Sequence, residues 1–166
     1  ILQWGDASTL SFHATKLFHT VEGGAVVLHN EEHDKALRLL RSFGHVGDEH
    51  FSLGMNAKMS EVHAAMGMAV LPHVPDLIAQ RRAVVEAYDR ALSLVVERPH
   101  TSAGVEYNHA YYPVLLHDGR EREHVLADLA GQGIHCRRYF YPSLDELPYV
   151  KSDPCPVSRD ASMRVL

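Results

Sequence analysis

Two short apolar runs, separated by a polar loop with a single lysine and closed by a glycine pair, constrain this chain more than any other feature. The stretch reads Thr9-Leu10-Ser11-Phe12-His13-Ala14-Thr15-Lys16-Leu17-Phe18-His19-Thr20-Val21-Glu22-Gly23-Gly24-Ala25-Val26-Val27. Residues 9–13 read as a strand and 14–24 as a loop rich in hydroxyls. Residues 25–29 read as a second strand, whose unbroken apolar character predicts cover on both faces. Gly23-Gly24 makes the turn into it. Apolar neighbours on both sides predict a sheltered Lys16, and shelter disfavours a charged ammonium. An uncharged lysine attacks carbonyls and forms imines. Ser11, at the strand end, sets a hydroxyl beside backbone N–H groups, which is a seat for phosphate. An imine-forming amine beside a phosphate seat is what pyridoxal phosphate requires.

A second motif follows at Gly54-Met55-Asn56-Ala57-Lys58-Met59-Ser60-Glu61-Val62-His63-Ala64-Ala65. Together the two stretches resemble the Schiff-base segment and the second signature of the DegT/DnrJ/EryC1/StrS family of sugar aminotransferases. The similarity continues to Arg138-Tyr139-Phe140-Tyr141-Pro142. The resemblance implies an α/β fold, the C-terminal part of a fold-type-I aminotransferase that uses pyridoxal 5'-phosphate. Residues 1–74 would close the large cofactor-binding domain, and residues 75–166 would form a small α/β domain. Lys16 would hold the cofactor as an internal aldimine and then serve as general base and acid. Ser11 would hold the cofactor phosphate. Asn56 and Lys58 would reach the phosphate held by a neighbouring subunit of a homodimer. Many relatives carry arginine where Lys58 stands; lysine keeps the charge but lacks the forked donor geometry. A nucleotide-linked keto-sugar would accept the amino group and glutamate would donate it. Relatives that act as dehydratases replace the lysine by histidine, so Lys16 argues against that branch. Two other readings stay open: a non-catalytic or regulatory piece of this fold, and a sugar-nucleotide binding module without turnover. The acid that pairs with the pyridine nitrogen is expected upstream of Ile1, and Asp6 is read as ordering the approach to the first strand.

Size and charge narrow the field. A chain of 166 residues buries one good core or two small ones. A net charge of -5 with no basic stripe disfavours nucleic acid as a partner. Cys136 and Cys155 are too few and too far apart for a disulfide framework, which fits a reducing cytoplasm. No apolar run approaching the roughly 20 residues of a membrane span is expected, and no signal peptide is visible. His13 and His19 lack a third ligand at suitable spacing, so no zinc site is expected. The chain begins at Ile1 and ends in the apolar Val165-Leu166, and we expect it to be an internal or C-terminal piece of a longer enzyme.

The remaining elements follow from periodicity. Asn30 caps a helix with Glu31, Glu32 and Asp34 in its first turn. Its buried face would be Ala36, Leu37, Leu40 and Phe43, with Arg38 and Arg41 on the wetter side and Gly44 at its end. Residues 43–57 read as a functional loop. Met59, Val62, Met66, Ala69 and Val70 form a helical stripe, read as packing. Pro72 and Pro75 bracket a break. A helix over 76–94 would bury Leu77, Ile78, Val84, Val85, Tyr88 and Leu92, with Arg81 and Arg82 solvated or paired with Glu86. Residues 109–116 read as an edge strand because of Pro113, 120–132 as a helix, and 134–141 as a strand from its period-two alternation. Residues 141–156 are expected to be extended.

Overall fold

A computed structural model describes residues 2–166. Ile1, the head of the lead-in expected over 1–6, lies outside the described residues. The chain forms two compact units, one ending at Ala79 and the other spanning Gln80–Leu166.

The first unit opens on an antiparallel pair, β1 (Ala7–Ser11) and β2 (Gly24–Leu28), in a register that runs from Ala7 opposite Leu28 to Ser11 opposite Gly24. Both strands lie one or two residues earlier than the apolar pattern suggests. Beyond Ser11 the pairing ends as Phe12 O takes the Thr20 N–H in place of a group on Gly23, and the His13 N–H turns to Ser11 Oγ, 3.5 Å away. Cover on both faces does not come from the described residues, since Leu10 and Val26 remain exposed. Asn30 Oδ1 accepts the Glu32 and His33 N–H groups at the start of α1 (Glu31–Leu40). That satisfies two of the donors a helix N-terminus leaves open. The face expected to be buried is mostly open: Leu37 is half-buried, whereas Ala36, Leu40 and Phe43 are exposed. Arg38 and Arg41 are exposed, as read from the sequence. The helix ends at Leu40, and Gly44, with φ 74°, returns its N–H to Leu39 O.

A short hairpin follows, β3 (His45–Val46) with β4 (Glu49–His50). Ser60 Oγ then caps α2 (Glu61–Val70) by accepting the His63 N–H. The expected stripe is largely open: Met59, Val62, Met66 and Ala69 are exposed and Val70 is half-buried, while the buried residue of α2 is Gly67. The break expected at the prolines is a single 3-10 turn, Leu71–His73, that leads directly into α3 (Val74–Leu92). Pro72 and Pro75 sit in first-turn positions, where the missing N–H costs no helical bond. The result is a helical stretch over Glu61–Leu92 that is long and apolar enough to cross a membrane by length and composition only. It carries Glu61, His63, His73 and Asp76, and Gly67 is buried within the first unit.

In the second unit Val85, Val114 and Leu116 are buried. The strand expected over 109–116 is reduced to single bridges that join Leu115 to Glu97 and to Val165. Its first half is diverted by side chains. Arg81 donates to Ala110 O at 2.9 Å and Tyr107 Oη donates to Tyr111 O, so these carbonyls are satisfied without a ladder. Arg82 Nε reaches His109 Nε2 at 3.4 Å. Neither arginine pairs with Glu86. Asp118 caps α4 (Gly119–Gly131). The alternation over 134–141 forms no strand, because no neighbouring segment among the described residues offers a ladder to it. A 3-10 turn, Leu144–Glu146, interrupts the stretch expected to be extended, and α5 (Pro156–Arg164) follows it. Cys136 and Cys155 are free and exposed.

Charge ties the second unit together. Arg122 is 4% exposed and donates to Ser162 O and to Glu123, which links α4 to α5. Asp145 accepts from Ser143 Oγ, the Cys155 N–H and Arg159 Nε, and these donors hold its carboxyl down at about 2. A carboxyl held below its ordinary 3.8 stabilises the fold fully above that pH, and the contribution is lost as pH falls toward 2. Thermal melts between pH 5 and pH 2 should therefore steepen through this window. Asp145→Asn should melt lower at neutral pH and show a smaller acid-dependent drop.

Candidate active site

The loop between β1 and β2 is held from inside by its own backbone. The Phe12 N–H donates to Gly23 O, and Phe12 O accepts the Thr20 N–H, both at 2.9 Å. Residues 13–19 are thus tied off around one residue. Within them the Lys16 N–H donates to His13 O at 2.9 Å, forming a turn. His13 Nδ1 lies 2.9 Å from Thr15 Oγ1 and accepts the Thr15 N–H. On the other side of the ring, His13 Nε2 is 3.6 Å from Glu22. Both histidines serve the loop: His19 Nδ1 accepts the Val21 N–H, and Val21 takes φ 68°.

The loop rests on Thr20, a residue the sequence pattern does not single out. Thr20 is 2% exposed, and its hydroxyl donates to Glu22 O at 2.7 Å. Two glycines make room for it. A Cβ on Gly67 would come within 2.8 Å of Thr20 Cγ2, and one on Gly23 within 2.4 Å of Thr20 Oγ1. Phe18 packs edge-on against Phe12, with ring centroids 5.0 Å apart. The loop is therefore docked on α2 through Thr20 and Phe18.

Lys16 is exposed rather than sheltered. The apolar neighbours that suggested shelter, Leu17 and Phe18, are half-buried, and Phe18 packs on Phe12. Among the described residues the Lys16 amine has no ion pair or hydrogen bond. Ser11 Oγ accepts the His13 N–H, which leaves its own proton free for an acceptor. A free primary amine and a free hydroxyl on one hairpin form a donor set that fits an aldehyde carrying a phosphate.

Asn56 and Lys58 lie together on a separate loop. Residues 54–57 bond back to the end of α1 and the turn after it: Met55 N–H to Leu40 O, Ala57 N–H to Arg41 O, and Phe43 N–H to Met55 O. Asn56 Oδ1 accepts the Lys58 N–H at 3.4 Å, so the Asn56 amide NH2 stays free. Lys58 Nζ sits 4.4 Å above the Phe43 ring, a cation–π contact. No hydrogen bond or ion pair joins this pair to Ser11 or Lys16 among the described residues. Lys58 also borders an open cleft of about 560 Å³ formed by α1 and the β3–β4 hairpin.

Comparison with known proteins places this geometry among relatives. The model of the DegT/DnrJ/EryC1/StrS aminotransferase family matches residues 2–166. The chain is 35% identical over 155 residues to a dTDP-4-amino-4,6-dideoxy-D-glucose transaminase of Shigella dysenteriae, covering 88% of this chain and 41% of that one. It is 31% identical over 153 residues to a GDP-perosamine synthase of Caulobacter vibrioides, covering 87% and 41%. The crystal structure of DesI in the presence of its TDP-sugar product superposes with a TM-score of 0.86 at 35% identity, over 97% of this chain and 43% of that one. The chain spans about two fifths of the length of the curated relatives it matches.

The position of Asn56 and Lys58 depends on a crossing of backbones at Gly44 and Gly54. A Cβ on Gly44 would fall 1.9 Å from Ser52 O, and one on Gly54 would fall 2.4 Å from Gly44 N. Gly44→Ala adds a side chain at φ 74° and should destabilise the first unit by roughly 1–3 kcal/mol, read by denaturant titration. Proteolysis within 43–58 should accelerate in the same variant.

Proposed function

Since the chain belongs to the DegT/DnrJ/EryC1/StrS aminotransferase family, we propose that the protein transfers an amino group to a nucleotide-linked keto-sugar with pyridoxal phosphate as cofactor. The observation that carries the reading is the free Lys16 amine on a tied-off hairpin loop, with the Ser11 hydroxyl at the strand end of the same hairpin. When bound, the cofactor supplies an electron sink for the carbon that gains or loses nitrogen. Lys16 Nζ is the group that would hold the cofactor through its aldehyde and, when free of it, would carry a proton to and from the reacting carbon. The Ser11 hydroxyl would hold the cofactor phosphate. Asn56, with its amide NH2 free, and the Lys58 ammonium serve the phosphate held by a second copy of the chain, so the working form is a homodimer. Glutamate donates the nitrogen. Residues 1–74 are then the end of the large domain and 75–166 the small one. The setting is the cytoplasm, with neither nucleic acid nor membrane as a partner.

Lys16→Ala should abolish both the borohydride-trapped cofactor adduct and transamination in the full protein; retained turnover would overturn the assignment. Asn56→Ala should weaken cofactor retention by roughly 1.5–3 kcal/mol, the worth of a hydrogen bond to a charged group. Equilibrium dialysis of the cofactor measures this, and an unchanged affinity would remove Asn56 from the site.

A further inference from the structure

We infer that His13 is a positioning residue for Lys16: its neutral ring, with the proton on Nε2, holds the turn that carries the lysine, and protonation at Nδ1 releases that turn. The inference rests on the proposed role of Lys16 toward the cofactor. The backbone of His13 stands between the two groups of this hairpin assigned to the cofactor. Its N–H reaches Ser11 Oγ at 3.5 Å, and its C=O accepts the Lys16 N–H at 2.9 Å. The ring adds a third tie, since Nδ1 accepts the Thr15 N–H at 3.2 Å. The N–H groups of Thr15 and Lys16 therefore both end on His13. His19 repeats the device at the far end of the loop, where Nδ1 accepts the Val21 N–H at 3.3 Å, but it makes no bond to Lys16 among the described residues.

The partners of His13 fix its tautomer. A ring nitrogen that accepts an N–H carries a lone pair, so the proton of the neutral ring belongs on Nε2. Glu22 Oε1, 3.6 Å from Nε2, sets negative charge at the edge where that proton stands. The ring thus spans the loop, from Thr15 on one side to Glu22 beside the glycine pair on the other. Among the described residues Glu22 is the charged group that meets the ring, and the Thr15 hydroxyl lies 2.9 Å from Nδ1. Protonation changes the two sides differently. An imidazolium keeps its attraction to Glu22. Its new Nδ1–H turns to Thr15 Oγ1 and repels the Thr15 N–H that Nδ1 had accepted. The turn in front of Lys16 then loses a bond with no change at Lys16 itself. The Lys16 side chain is exposed and has no partner among the described residues, so the backbone of this turn decides where its amine points. Orientation of a reacting group carries a large share of its rate.

Two substitutions divide the functions of the ring. Asparagine offers an acceptor in the place of Nδ1 and bonds readily to the N–H two residues on; glutamine reaches toward the place of Nε2. In the full protein without cofactor, the amide-proton NMR signals of Thr15 and Lys16 should move upfield together as acid protonates His13. They should stand still over the same range in His13→Asn. Capture of pyridoxal phosphate at neutral pH, followed as the borohydride-trapped adduct, should slow about tenfold in His13→Ala and His13→Gln, the scale of one lost hydrogen bond. His13→Asn should capture at close to the parent rate. Acid should slow capture more steeply in the parent than in His13→Asn, whose side chain does not titrate. His13 is rejected as a positioning residue if the Asn and Gln variants capture alike, or if the Thr15 amide does not follow the ring. A loss of capture that merely tracks a loss of thermal stability, equal in all three variants, rejects it too. The two readings fail separately. No adduct at Lys16 in the parent, with both amides still following His13, removes the cofactor role of Lys16 and leaves the hold of His13 on the turn. An adduct formed equally fast in the parent and His13→Ala keeps Lys16 and removes His13.

Discussion

The lysine loop depends on how closely Thr20 approaches α2. The contact is possible because Gly67 and Gly23 carry no Cβ where Thr20 needs the space. A buried hydroxyl must also be satisfied, and Glu22 O accepts its proton from within the same loop. Packing and hydrogen bonding thus act on one small side chain. Lys16 is not held by contacts of its own; it is carried by a loop whose far end is pinned.

The second loop solves a similar problem with backbone alone. Its strands are two residues long, too short to be stable by pairing. The order comes from the bonds that residues 55 and 57 make to the end of α1 and from the crossing of Gly44 over Ser52 and Gly54. Asn56 and Lys58 inherit their place from α1. That helix in turn is aligned by Asn30 at its head. The same helix brings Arg38 and Arg41 to the cleft that Lys58 borders.

Much of this was legible in the residues. The lysine stretch announced strand, loop and strand, and Asn30 announced a helix start through the physics of unsatisfied N–H groups. Other features were not. Thr20 carries no periodic signal, since its burial comes from two glycines of which one is far away in sequence. The strands expected over 109–116 and 134–141 failed because alternation describes a surface, whereas a ladder needs a partner. Arg81 and Tyr107 took the carbonyls first. The proline pair misled for a related reason: proline breaks a helix interior but is at home in a first turn. Shelter for Lys16 could not be read from its neighbours, because Phe18 spends its ring on Phe12 and leaves the amine exposed.

The two hydrogen bonds that tie Phe12 to Gly23 and Thr20 have a wider meaning. They draw a ligature around residues 13–19, and the strand register outside it takes no support from the Lys16 side chain. Reactive groups within such a loop are exchangeable cargo, provided an aromatic ring remains to stack where Phe18 meets Phe12. Natural variation can alter the chemistry at position 16 without refolding the hairpin that presents it.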